Sequence, residues 1–194
     1  MQFFRFVSIV VLVLLALTSA GAVLVVLFGS NDSRSSLEAL FSDTGGIQTF
    51  RDRANGLSFF YPSTWKKEYL PFDMVRFQTP DEHAAMIAQV KKMQKEKLRT
   101  LQEYTWENLS EIVESAEHDG FTFVLEESIP VKLSGRDGHR ISTVMEKDEQ
   151  IIRAIQLWAV VGDRVYSFSF SAALTEYDSA VQSFEDVIQS VTIQ

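Results

Sequence analysis

The run FVSIVVLVLLALTSAGAVLVVLF, Phe6 to Phe28, is twenty-three residues without a charge, and its only hydroxyls are Ser8, Thr18 and Ser19. As a helix rising about 1.5 Å per residue it would span roughly 34 Å, enough to cross the hydrocarbon core of a bilayer. A cleaved signal peptide is the competing reading, because Ala20-Gly21-Ala22 resembles a small-residue cleavage site. A signal core should run only about 7–15 residues and stop near that site. Here the apolar run continues through Val23, Leu24, Val25, Val26, Leu27 and Phe28. The expectation is an uncleaved transmembrane anchor over residues 1–29. Arg5 precedes the span, whereas Asp32 and Arg34 cancel just after it. The positive-inside bias then puts the amino terminus in the cytoplasm and the bulk of the chain on the extracytoplasmic side.

Beyond the anchor the chain has a globular balance: over its whole length hydrophobic residues are 46% and charged residues 23%. The 194 residues leave room for one ordinary domain. The chain has no cysteine, which excludes disulfides, thiolate metal sites, a cysteine nucleophile and a lipid anchor on cysteine. A net charge of −8 argues against generic nucleic-acid binding, which needs a clustered positive field.

Gly29 to Gly46, GSNDSRSSLEALFSDTGG, reads as a linker, with residues 30–46 flexible and one helical turn at Leu37 to Phe41. Stretched, it reaches about 60 Å; as a coil it averages about 25 Å. Residues 47–194 carry the fold. IQTF and LSFFYP form a first hairpin, and MVRFQT (Met74 to Thr79) pairs with AAMIAQV (Ala84 to Val90). After the charged stretch KKMQKEKLRTLQEY comes a helix with Trp106, Leu109, Val113 and Ala116 on one stripe, Thr105 as its cap and Gly120 as its end. Four further strands come next: FTFVLEESIPVKL, HRISTVMEK, IIRAIQLWAVV and RVYSFSFSA. In the last, Tyr166, Phe168 and Phe170 alternate with Ser167, Ser169 and Ser171, which predicts an apolar face and a polar one. IIRAIQLWAVV is apolar on both faces, as in a covered central strand. A final helix opens at Thr175 with Asp178 in capping-box position and buries Tyr177, Val181, Phe184, Ile188 and Val191. Short polar turns between successive strands argue for an α+β fold with a mainly antiparallel sheet and both helices packed on it.

The order of these pieces resembles that of PsbP-like domains. The string GLSFFYPSTW (Gly56 to Trp65) is similar to the family's opening G-[FILV]-S-[FL]-x-[YV]-P-x-x-W run. GRDGHRI (Gly135 to Ile141), VVGDRVYSFSFSA (Val160 to Ala172) and a closing helix FEDVIQSVTI (Phe184 to Ile193) fall in the family's order, so the match covers Ile47 to Gln194. The resemblance implies an α/β/α sandwich without enzymatic activity. Known members include extrinsic photosystem II subunits that support calcium and chloride retention, and secreted or membrane-tethered prokaryotic proteins. A related fold binds a small GTPase. This chain lacks the insertion after GRDGHRI and has a transmembrane tether, so no metal ligands carry over and no cofactor is expected. Phe59, Tyr61 and Trp65 are expected to be core rather than a ligand platform.

Catalytic signatures are absent from the sequence. His83, His118 and His139 lie in polar turns or at a strand start, and Asp81-Glu82-His83 reads as a solvated loop in preference to a metal site. Ser167, Ser169 and Ser171 lack a nucleophile elbow and read as the polar face of a strand, and Gly162-Asp163 as a hairpin turn. Charge is more informative. Lys91 to Arg99 holds five basic residues against one glutamate, and Glu103 to Glu127 holds eight acidic residues and no lysine or arginine. Lys91, Lys92, Lys95, Lys97 and Arg99 form the candidate interaction surface, for anionic headgroups or a protein partner, against the alternative of a solvated loop. The expectation is a non-catalytic binding or assembly module, tethered by a single-pass anchor and contacting a neighbouring membrane protein complex outside the cytoplasm, without nucleic acid. The alternatives are an extrinsic photosystem II-associated factor or, in a different class, a hydrolase or ion-binding protein.

Overall fold

The structure is a computed structural model and describes residues 46–194. The expected anchor, and the linker up to its last residue, lie outside the described residues. Among the described residues no helix is long and apolar enough to cross a membrane.

A left-handed turn at Gly56, φ 67°, closes the expected first hairpin between β1 (Ile47–Asp52) and β2 (Leu57–Pro62). An added side chain at Gly56 would be strained by that φ and would also stand 3.0 Å from the Gln194 carbonyl. The turn is held by Asp52, whose carboxylate accepts hydrogen bonds from the Asn55 backbone N–H (3.1 Å) and Nδ2 (2.6 Å). Next come β3 (Lys66–Leu70), β4 (Met74–Gln78), β5 (Ala84–Lys92) and helix α1 (Leu101–His118). The strands β6 (Thr122–Leu133), β7 (Arg136–Lys147), β8 (Gln150–Val161) and β9 (Arg164–Ala173) then lead into helix α2 (Leu174–Gln189) and a short β10 (Thr192–Ile193). A seven-stranded sheet has the order β3-β4-β5-β9-β8-β7-β6, and a three-stranded sheet the order β1-β2-β10. Every neighbouring pair is antiparallel.

Strand periodicity sorts the core into two faces. Phe168, Phe170, Ile155, Leu157 and Met86 pack with Tyr177, Phe184 and Val187 of α2 and with Phe50, Phe59 and Tyr61 of the small sheet. The intervening residues Ile87, Ala154, Trp158 and Val165 pack with Tyr104, Ile112 and Ala116 of α1. The helices therefore cover opposite faces of the large sheet. Phe59, Tyr61 and Trp65 are all buried, so the aromatics of GLSFFYPSTW are core, as expected.

Several boundaries and faces differ from expectation. Helix α1 starts a full turn earlier than Thr105. Thr100 is its N-cap, and a capping box joins the Thr100 hydroxyl to the Glu103 N–H while the Glu103 carboxylate reaches back to the Thr100 N–H. Replacing Thr100 with alanine should cost about 1 kcal/mol, read as a lower midpoint of chemical unfolding at unchanged slope. The helix buries the stripe Thr105, Asn108, Ile112 and Ala116, whereas Trp106 is 61% exposed. Helix α2 opens at Leu174 behind Ala173, with no side-chain cap, so Thr175 and Asp178 form no capping box. It ends at Gln189, and Thr192–Ile193 become a third strand on β2 rather than a continuation of the helix. The charged stretch after Val90 is divided among the end of β5, a 3-10 turn at Lys95–Lys97 and the start of α1. Strand β3, KKEYL, carried no apolar alternation because it is a solvated edge strand whose charged residues face water.

The serine face of β9 is also different. Ser169 and Ser171 are buried, because β9 is the middle strand of seven and both its faces are covered. Their hydroxyls, with Thr143 Oγ1 on β7 and Gln156 Nε2 on β8, have no hydrogen-bond partner among the described residues. In register, Ser171 stands opposite Ala154, which stands opposite Thr143, while Ser169 stands opposite Gln156. The polar face of this strand is thus an internal polar row.

Candidate interaction surface

Strand β5 is buried from Ala84 to Val90 and then runs out into solvent at Lys91 and Lys92. The chain turns there because the Met93 N–H donates to the Asp163 carbonyl at 2.7 Å, tying the segment to the Gly162-Asp163 turn between β8 and β9. That turn is a hairpin, as the sequence indicated, with Gly162 at φ 62°. Lys95 and Lys97 stand exposed on the 3-10 turn, and Arg99 lies next to the α1 cap. The structure therefore keeps all five expected residues together at one end of the sheet. Lys92 faces Asp163 at 3.4 Å and Arg99 pairs with Glu107. Lys91, Lys95 and Lys97 have no ion pair among the described residues.

Three arginines distant in sequence join them. Arg164 is the register partner of Lys92 and donates to the Ala54 carbonyl at 3.4 Å. Two residues further along β9, the Tyr166 hydroxyl donates to the Asn55 carbonyl at 2.7 Å. These contacts bring the β1–β2 turn, with exposed Arg51 and Arg53, to the same end. Eight basic side chains from three segments gather there, with Asp52, Glu96 and Asp163 as the acidic residues of those segments, on a chain of net charge −8. The only sequence trace was Arg51 and Arg53 flanking the first hairpin turn; nothing local linked them to residue 91.

The rest of the chemistry is sparse. The Asp81 carboxylate is held below its ordinary pKa by the Thr79 hydroxyl and then by the His83 N–H, so the Asp81–His83 stretch is a self-bonded turn. Among the described residues no group of three or more His, Asp or Glu is placed to hold a metal. His139 makes a hydroxyl–imidazole contact that the sequence did not reveal, Ser128 Oγ to Nε2 at 2.9 Å, with the ring 5.6 Å from that of Trp158. No carboxylate among the described residues pairs with that imidazole, and Ser128 sits within a strand rather than on a turn, so the contact lacks the orienting acid of a triad.

Burial pushes the His139 pKa below its ordinary value. The unfolded chain therefore takes up a proton below about pH 6.5 that the folded chain resists, so this residue should cost stability progressively as pH falls from about 7 towards 5. Urea midpoints at the two pH values should converge in His139→Gln; an unchanged slope would assign the effect elsewhere.

The architecture is a PsbP-like fold. The cyanobacterial PsbP of Synechocystis sp. superposes with a TM-score of 0.62 at 14% identity, covering 88% of this chain and 99% of that one. LpqN of Mycobacterium tuberculosis, described as involved in cell envelope biogenesis, gives a TM-score of 0.52 at 13% identity over 86% of this chain and 99% of that one. The Saccharomyces cerevisiae Ran-binding protein Mog1p gives 0.50 at 10% identity over 76% of this chain and 95% of that one. No family model matches the chain, and no curated protein matches it by sequence.

Proposed function

We propose that this chain is a membrane-tethered, non-catalytic binding or assembly module that uses its basic end to contact a neighbouring membrane protein complex outside the cytoplasm. The observation that carries the reading is the gathering of Arg164, the β1–β2 turn and the Lys91–Arg99 segment at one end of an otherwise acidic domain. Such a surface steers association with an acidic partner and fixes its orientation. Two structural neighbours support it: a protein described as Ran-binding and one described as involved in envelope biogenesis share the fold. A narrower form of the proposal, implied by the resemblance to PsbP-like domains, is a role as an extrinsic photosystem II-associated factor.

Crosslinking of tagged full-length protein in its native membranes tests the proposal. One membrane complex should co-purify with the full chain and not with residues 1–46 alone. Replacing Lys91, Lys92, Lys95 and Lys97 with glutamine should weaken recovery roughly tenfold, since each exposed pair contributes about 0.2–1 kcal/mol, and raised salt should do the same. Undiminished recovery by the four-lysine variant would remove this surface from the interaction.

A further inference from the structure

The outer face of the small sheet holds a cleft of about 440 Å³ around Arg51, Arg53, Gly56 and Ser58. We propose that it is a binding site for a phosphate-type oxyanion. Phe50 points into the core, so Arg51 points outward, and its cross-strand partner Ser58 places a hydroxyl on that same outer face. Arg53, two residues on, adds a second guanidinium at the rim of the cleft. Neither arginine has an ion pair among the described residues, in a chain that carries 26 acidic residues against 18 basic ones. Asp52, which also lines the cleft, is engaged by Asn55, which donates to both carboxylate oxygens. The far wall is backbone: Gln194 N–H donates to the Gly56 carbonyl at 2.9 Å, and glycine keeps a side chain out of that approach. Two forked guanidinium donors and a hydroxyl match the several oxygens of a phosphate group better than they match a single acceptor. The same chemistry is offered by free phosphate and by the headgroup of an anionic phospholipid.

The site shares Arg51 and Arg53 with the proposed docking surface but does not depend on that reading, because its test uses soluble probes and no protein partner. The full chain, purified in a non-ionic detergent, is titrated calorimetrically with inorganic phosphate, pyrophosphate, and monomeric dihexanoyl phosphatidylglycerol, with dihexanoyl phosphatidylcholine as the zwitterionic control. At least one anionic probe should bind saturably. Arg51→Gln and Arg53→Gln should each weaken it about tenfold, and the double variant about a hundredfold. The Lys91, Lys92, Lys95 and Lys97 glutamine variant should retain binding within about twofold, which separates the cleft from the lysine surface. Phosphate binding as tight as that of phosphatidylglycerol assigns a soluble source, and binding of the lipid alone assigns a headgroup; both support the site. Absence of binding by every anionic probe overturns it, as does affinity unchanged in the double variant or equal for phosphatidylcholine. Should a glutamine variant fold poorly, Arg51→Lys with Arg53→Lys keeps the charge and removes the fork, and full retention of affinity there would overturn the guanidinium assignment.

Discussion

Phe59→Ala is expected to lower the free energy of unfolding by about 3–5 kcal/mol, a large part of the roughly 5–15 kcal/mol that holds a domain of this size together. The side chain is 1% exposed and sits where the two sheets meet. Its ring lies 4.9 Å from Phe50 within its own hairpin, and 5.3 Å and 5.7 Å from Phe77 and Phe168 of the large sheet. Removing it leaves a void walled by strands that cannot all close in, so both the transfer term and a cavity term are lost. The small sheet would suffer most, because β10 is only two residues long and β1 rests on β2 alone. Equilibrium unfolding by urea measures the effect, and a loss below about 1 kcal/mol would mean that the small sheet is not part of the cooperative core. Because Arg51 and Ser58 are carried by this hairpin, the same variant should also weaken the oxyanion cleft, whereas the arginine variants should leave stability nearly unchanged.

The β2 segment was legible in the sequence because its signals are local: a glycine where the turn needs positive φ, and large residues alternating over a strand. The order of strands after Gly120 was legible for the same reason. What failed depended on what covers each face. The serines of β9 alternate with aromatics as they would on a half-solvated strand, and only the packing of α1 over that face makes it internal. In α1 two stripes compete at helical spacing. Trp106, Leu109, Val113 and Ala116 is the more apolar, yet the helix docks through Tyr104, Thr105, Asn108, Ile112 and Ala116, where Trp158 Nε1 donates to Thr105. Thr105 and Asn108 interrupt the apolar pattern of that face, which weakens its hydrophobic signal. The lysines of the interaction surface were readable as a charge run. Arg51, Arg53 and Arg164 were not, since their proximity arises from contacts more than a hundred residues apart in the chain.

Trp158→Ala should be comparably damaging on the opposite face, at about 3–5 kcal/mol, and it bears on the interaction surface as well as on stability. Trp158 is 1% exposed, and its Nε1 donates to Thr105 Oγ1 at 2.7 Å. Thr105 lies just after the first turn of α1, whose cap is Thr100 and whose preceding residue is Arg99. This buried hydrogen bond ties the start of the helix to the sheet, close to the segment carrying Lys95, Lys97 and Arg99. Trp158→Phe separates the two roles, since it keeps most of the apolar volume and deletes the donor. It should cost about 1–3 kcal/mol, the usual effect of stranding one buried polar partner. Amide exchange should then rise across residues 99–105 while β7, β8 and β9 stay protected, because local opening of a helix start needs less free energy than opening a central strand. If exchange in the strands rises by the same factor, the Thr105 bond is only one more contribution to global stability and not the anchor of the basic segment. If it rises in the segment alone, the position of those cations is set from within the core, and loosening it should weaken partner capture without altering a single surface charge.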